Sequence, residues 1–169
     1  KDTLTIIEAS SFQLAYSKFI KPNYALIINI SNDHLDWHGS MINYMNAKLK
    51  IFSLQTQNDY ALISNKILVR RYKKNKYLGK LKLINKKEFK KIKNRINNEY
   101  LSSEANEENM SFVYKLSKIL KIKEKPFIKS LKSFKGLEHR YENFYSKNHK
   151  KFINDSKATT FEASRIALK

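Results

Sequence analysis

Five short stretches of this sequence hold side chains whose types and spacing can do chemistry. Glu8-Ala9-Ser10-Ser11-Phe12-Gln13-Leu14 places a carboxylate at the end of an apolar run and polar side chains at the opening of the next element. A carboxylate there can hold Mg²⁺, and a helix N-terminus suits an anion; the plainer reading is a serine cap with an acid nearby. Asn32-Asp33-His34-Leu35-Asp36-Trp37-His38 follows a second apolar run and packs four metal-capable side chains into six residues. It reads either as a metal site or as a capped turn with surface histidines. Mg²⁺ prefers oxygen, so a lone histidine ligand would be unusual. Lys48 lies in a helical pattern of a lysine-rich chain, and spacing does not single it out. In Gly136-Leu137-Glu138-His139-Arg140-Tyr141-Glu142, Arg140 follows a flexible glycine, and its guanidinium can grip a phosphate bidentately. In Ile153-Asn154-Asp155-Ser156-Lys157-Ala158-Thr159, Asp155 and Lys157 sit where a strand gives way to a helix, placed to meet a nucleotide and a phosphate.

The elements that must position these residues alternate. Thr3–Ala9 reads as a strand and Ser10–Ile20 as a short helix broken by Pro22. Tyr24–Ile30 is a second strand, Met41–Leu54 a helix and Tyr60–Ser64 a third strand. Alternating strands and helices predict an α/β fold with a parallel sheet, and near-continuous apolar strands fit burial on both faces. Residues 66–98 read as short strands at Ile67–Val69 and Leu81–Ile84 around a lysine-rich turn. Glu107–Ile122 has helical spacing of its apolar residues, and Pro126 opens a helix over Phe127–Phe134. Gly136 serves as a C-cap and marks a domain boundary. The expected domains are therefore 1–135 and 136–169. Tyr141–Ser146 and Lys151–Asn154 form a hairpin across Asn148-His149, and a last helix starts near Thr159. A strand that begins at once and a final pattern that stops inside a helix point to an internal piece of a longer protein.

Composition excludes several classes. No apolar run reaches the ~18 residues of a membrane span. The chain has no cysteine, so disulfides and thiolate metal sites are out. Three glycines, Gly39, Gly79 and Gly136, cannot assemble a G-x-x-x-x-G-K-[ST] phosphate cradle. The net charge of +19 raises nucleic acid as a partner, but 29 of the 34 basic residues are lysine and only five are arginine, the usual base reader. Between Lys66 and Asn98 fourteen basic residues face one acid, Glu88; this reads first as a solvated face.

Taken together and in this order, the five stretches resemble the Mur ligases. Glu8–Leu14 looks like E-x-S-S-F-Q-L, Asn29–Asp36 like N-x-x-x-D-H-L-D, Tyr44–Phe52 like the Y-x-x-A-K helix, Gly136–Arg140 like G-L-x-H-R, and Ile153–Thr159 like I-N-D-S-K-A-T. The resemblance runs from Glu8 to Thr159 and is weak across 55–100. The first and last motifs point to the D-glutamate-adding branch. This implies a truncated P-loop-type central domain with a parallel sheet over 1–135, followed by the start of a Rossmann-like C-terminal domain. It implies a cytoplasmic ATP-dependent ligase of peptidoglycan synthesis, monomeric when full length, with ATP and Mg²⁺ as cofactors. Its substrates would be UDP-N-acetylmuramoyl-L-alanine and D-glutamate, joined through an acyl phosphate. No specific nucleic acid and no membrane would be partners. By resemblance Glu8 and His34 bind Mg²⁺, and Lys48 is carbamylated to hold a second Mg²⁺. Ser10 and Gln13 contact the UDP-linked substrate, while Arg140, Asp155 and Lys157 reach ATP. Asn106 and Asn109 stand for an H-N-x-x-N that meets the nucleotide, although Ser103 and Ala105 replace the glycine and histidine expected before it.

Three other readings compete. Another Mur ligase would add a different amino acid. A basic nucleic-acid-binding protein would use Lys66–Asn98. A metal hydrolase would be built on Asp33, His34, Asp36 and His38.

Overall fold

The structure, a computed structural model, describes residues 3–104, 106–158, 161, 164 and 165. These divide into two compact units, 1–84 and 85–169. In the first, α1 (Ser11–Tyr16) leads to β1 (Tyr24–Ile27), α2 (Leu35–His38) and α3 (Met41–Leu49), which tightens into a 3₁₀ turn (Lys50–Phe52). β2 (Tyr60–Ile63), α4 (Lys66–Lys74) and β3 (Lys80–Leu83) follow. The second holds α5 (Lys86–Ile96), α6 (Glu99–Ser102), α7 (Glu107–Ile119), α8 (Glu124–Ser133) and the strands β4 (Glu142–Lys147) and β5 (Lys150–Asn154).

The first unit is built on a parallel sheet in the order β1-β2-β3, with Tyr24 opposite Tyr60 and Tyr60 opposite Lys80. Parallel neighbours need crossovers, and helices supply them: α2 and α3 between the first pair, α4 between the second. β2 lies in the middle, and Ala61, Leu62 and Ile63 are all fully buried, as a strand covered on both faces requires. Ala25, Ile27, Met45, Leu49, Phe52, Leu68 and Tyr72 complete that core. Gly79 is fixed by close approach: a Cβ there would stand 2.5 Å from Gln55 Oε1. The same amide donates Nε2 to Pro22 O (3.0 Å) and Tyr60 O (2.9 Å), tying the entries to β1 and β2.

The second unit packs helices around Phe89, Ile92, Ile96, Leu101, Met110, Tyr114, Phe127 and Ile128. On α5 the buried residues recur every three or four positions, the helical period. Pro126 falls in the first turn of α8, where its missing N–H costs nothing. The hairpin β4–β5 turns at Asn148 and His149, with φ of 51° and 60°. Two consecutive positive φ values match the twist of a right-handed ribbon.

The α/β class and parallel sheet expected from the sequence are present. Several local expectations need correction. Thr3–Ala9 joins no ladder among the described residues, and Leu4, Ile6 and Ile7 are exposed; an apolar run becomes a strand only when a neighbour pairs with it. Ile67–Val69 is helix, because Asn65 caps it by accepting from Ile67 N (2.8 Å) and Leu68 N (3.2 Å), and Leu68 and Tyr72 bury one face. The supposed lysine-rich turn is the solvent face of that helix. α5 was not foreseen at all. The first helix ends at Tyr16, six residues before Pro22, and the second strand at Ile27. Of the helix placed near Thr159, only Phe161, Ser164 and Arg165 are among the described residues, and these three are helical.

Candidate functional site

A cleft of about 370 Å³ opens in the first unit, lined by Glu8, Ser10, Ser11, Gln13, His34, Tyr44 and Lys48 with Ala9. Three elements position these side chains. The turn into α1 is locked by a capping box: Ser10 Oγ accepts from Gln13 N (3.2 Å), and Gln13 Oε1 accepts from Ser10 N (2.8 Å). The box engages Gln13 through its oxygen, so the Nε2 donors are the part a ligand can use. His34 is the N-cap of α2, in the left-handed region at φ 54° and ψ 27°. A histidine pays for that conformation in strain, and Asp33 holds it there: its Oδ1 accepts from His34 N (2.9 Å), and its Oδ2 lies 3.4 Å from His34 Nε2. α3 carries Tyr44 and Lys48 one turn apart, on the same face.

Lys48 is half-buried, with Nζ 5.1 Å from the centre of the Tyr44 ring. Burial pushes its pKa below the ordinary lysine value, against the pull of the nearby Asp33 charge. The Tyr44 hydroxyl is pushed up, first by burial and then by Asp33. Asp33 therefore acts on both residues, although the sequence offered it only as one of four metal-capable side chains. Tyr44 was also missed as a lining residue. The legible signal was its spacing of four from Lys48.

The donor set can be tested against Mg²⁺. Glu8 offers carboxylate oxygens and His34 an imidazole; an ammonium at Lys48 would repel a cation. Among the described residues no group of three or more His, Cys, Asp or Glu side chains gathers. Mg²⁺ prefers oxygen, so the residues fit it only if Lys48 supplies oxygens, as a carbamate does. A lowered lysine pKa favours that modification, since the neutral amine is the form that reacts with CO₂. The alternative metal centre on Asp33, His34, Asp36 and His38 is not assembled: His38 is buried, with Nε2 3.0 Å from Ser11 Oγ.

The other expected site residues belong to the second unit. Asn106 begins α7 and donates Nδ2 to Tyr100 O (2.9 Å), while Asn109 Nδ2 donates to Asn106 Oδ1 (3.3 Å). The loop of Arg140 and the turn of Asp155 and Lys157 are joined. Tyr141 N donates to Asp155 Oδ1 (3.0 Å), Lys157 N to His139 O (3.2 Å), and Asn154 Nδ2 lies 2.9 Å from His139 Nδ1. Arg140 and Lys157 are exposed. The basic residues of 66–98 lie mostly on the outer faces of α4 and α5, opposite Leu68 and Tyr72 on one and Phe89, Ile92 and Ile96 on the other.

The family model described as the Mur ligase middle domain matches residues 1–132. The UDP-N-acetylmuramoylalanine--D-glutamate ligase of Natranaerobius thermophilus is 33% identical over 96% of this chain and 40% of its own length. That of Elusimicrobium minutum is 35% identical over 98% of the chain, and that of Staphylococcus saprophyticus 33% over 99%, each over 40% of its own length. The chain thus spans about two fifths of the length of the curated relatives it matches. With the family model covering well over half of its residues, the chain belongs to the Mur ligase family.

Proposed function

We propose that this chain serves a cytoplasmic ATP-dependent ligase that joins D-glutamate to UDP-N-acetylmuramoyl-L-alanine in peptidoglycan synthesis. The observation that carries the reading is the convergence of Glu8, Ser10, Gln13, His34 and Lys48 on one cleft. These are the residues that the motif resemblance assigns to metal and substrate, and α1, α2 and α3 bring them together from three separate stretches. The relatives named for this reaction support the choice of D-glutamate.

In this reading ATP phosphorylates the substrate carboxylate, and the amine of D-glutamate then displaces phosphate from the acyl phosphate. Mg²⁺ would neutralise charge on the moving phosphoryl group. Glu8 and His34 would hold one ion, and a carbamylated Lys48 the second. Ser10 Oγ and Gln13 Nε2 would orient the UDP-linked acid. Arg140, Asp155 and Lys157, with Asn106 and Asn109, would bind ATP. Residues 1–135 would belong to the central domain and 136–169 to the start of the next; the family match ending at residue 132 supports that boundary. The complete protein would be a monomer with neither membrane nor specific nucleic acid as partner. Among the described residues no helix is long and apolar enough to cross a membrane.

The test is phosphate release by the complete protein with ATP, Mg²⁺ and UDP-N-acetylmuramoyl-L-alanine. Release that requires D-glutamate supports the reading. Release that requires a different amino acid moves the protein to another branch of the family, and ATP-independent hydrolysis would end the ligase reading.

A further inference from the structure

We infer that His38 is a positioning residue for the substrate-binding turn, an inference that rests on the ligase reading above. His38 lines neither the cleft nor a metal site. It is the last residue of α2, 7% exposed, and its Nε2 shares a 3.0 Å hydrogen bond with Ser11 Oγ, itself 3% exposed. The two residues are 27 apart in sequence. Ser11 is the first residue of α1, between Ser10 and Gln13, the pair assigned to the UDP-linked substrate. α1 has only six residues, too few to hold its own geometry. Its capping box is local and fixes the turn internally, but does not fix where the turn stands relative to His34 and Lys48.

His38 provides that link. Its ring stacks on Phe12 at 5.5 Å and 19°, and lies 5.1 Å from the Tyr44 ring of α3. Its carbonyl accepts from Asn43 Nδ2 (3.0 Å), holding the bend at Gly39 where α2 passes into α3. One imidazole therefore ties the turn bearing Ser10 and Gln13 to the segment bearing His34 and to the helix bearing Lys48. A buried hydroxyl left without its partner is costly, so the pair resists separation. A merely packed histidine would need only the ring contacts.

Three variants of the complete protein test this. His38→Phe keeps the ring and removes Nε2, Ser11→Ala removes the partner, and His38→Gln restores an amide at the reach of Nε2. With ATP and D-glutamate saturating, His38→Phe and Ser11→Ala are expected to raise KM for UDP-N-acetylmuramoyl-L-alanine about fivefold to tenfold. KM for ATP should stay within about twofold, His38→Gln should lie near wild type, and the double variant should be no worse than either single one. Amide exchange over residues 11–16 should quicken in His38→Phe and Ser11→Ala while β2 keeps its protection. Unchanged exchange over 11–16, an equal rise through β2, or equal changes in every kinetic constant would overturn the inference. Should wild type not ligate at all, the ligase reading falls, and the exchange comparison still decides whether His38 fixes the turn.

Discussion

At the scale of single residues, two groups whose ionisation is altered serve different ends. Lys48 is weakened as a base by burial, which raises its neutral fraction near pH 7. Carbamate formation should therefore exceed that of surface lysines in the same protein. ¹³C-bicarbonate NMR of wild type against Lys48→Arg checks this, with one carbamate signal expected and lost in the variant. Asp59 is 3% exposed and accepts from Thr56 N (2.7 Å), Thr56 Oγ1 (2.8 Å) and Asn23 Nδ2 (3.0 Å). The Thr56 contacts, backbone first, hold its carboxyl below the ordinary value. A depressed carboxylate pKa adds stability above its unfolded value, about pH 4, and loses it as pH falls through the folded value. Asp59→Asn should cost about 1–3 kcal/mol at pH 7 in urea unfolding. The gap to wild type should narrow as pH falls below 4. The Lys48 carbamate was implied by the family resemblance, whereas the burial of Lys48 and the partners of Asp59 were not legible beforehand. Asp59 reads as an ordinary turn acid until the fold brings Asn23 beside it.

At the scale of elements, caps and turns decided what periodicity left open. Residues 66–98 were hard to read because Ile67-Leu68-Val69 is short and apolar, with β-branched Ile67 and Val69, and a run of that length suits either a strand or a buried helix segment. The cap at Asn65 settles it, so Asn65→Ala should destabilise the protein by about 1 kcal/mol by thermal or urea melting. The hairpin was legible because Asn148-His149 sits between two runs of strand-forming residues. His149 holds φ 60° without being glycine, so His149→Gly should stabilise the hairpin by up to about 1 kcal/mol, the Asn-Gly pair being preferred in such turns. No change, or a loss, on melting would show that the His149 side chain contributes more than its backbone strain costs. The helices α7 and α8 were legible because each buries one face.

At the scale of the whole molecule, charge and length set the outcomes. With a net charge of +19 the chain should bind DNA weakly, with no sequence preference and a steep loss between about 50 and 200 mM salt. Retention of one DNA sequence at the higher salt would favour the nucleic-acid reading. The 169-residue chain carries three glycines and no phosphate cradle, and it spans about two fifths of its relatives. By itself it should release no phosphate from ATP, while the complete protein does so only with both of its substrates.

The sequence by itself determined the α/β class, the family and Glu8, Ser10, Gln13 and His34 as candidates, because motif spacing and strand composition are local properties; Lys48 became a candidate only through the family resemblance. Only the tertiary structure decided that Thr3–Ala9 lacks a ladder among the described residues, that Ile67–Val69 is helical, and that Asp33 and Tyr44 act on Lys48. It alone showed His38 turned onto Ser11 and not toward a metal. Each of these depends on which side chain meets another across dozens of residues of chain. Burial, hydrogen bonding and electrostatic shifts arise from those meetings, and no spacing within a short motif encodes them.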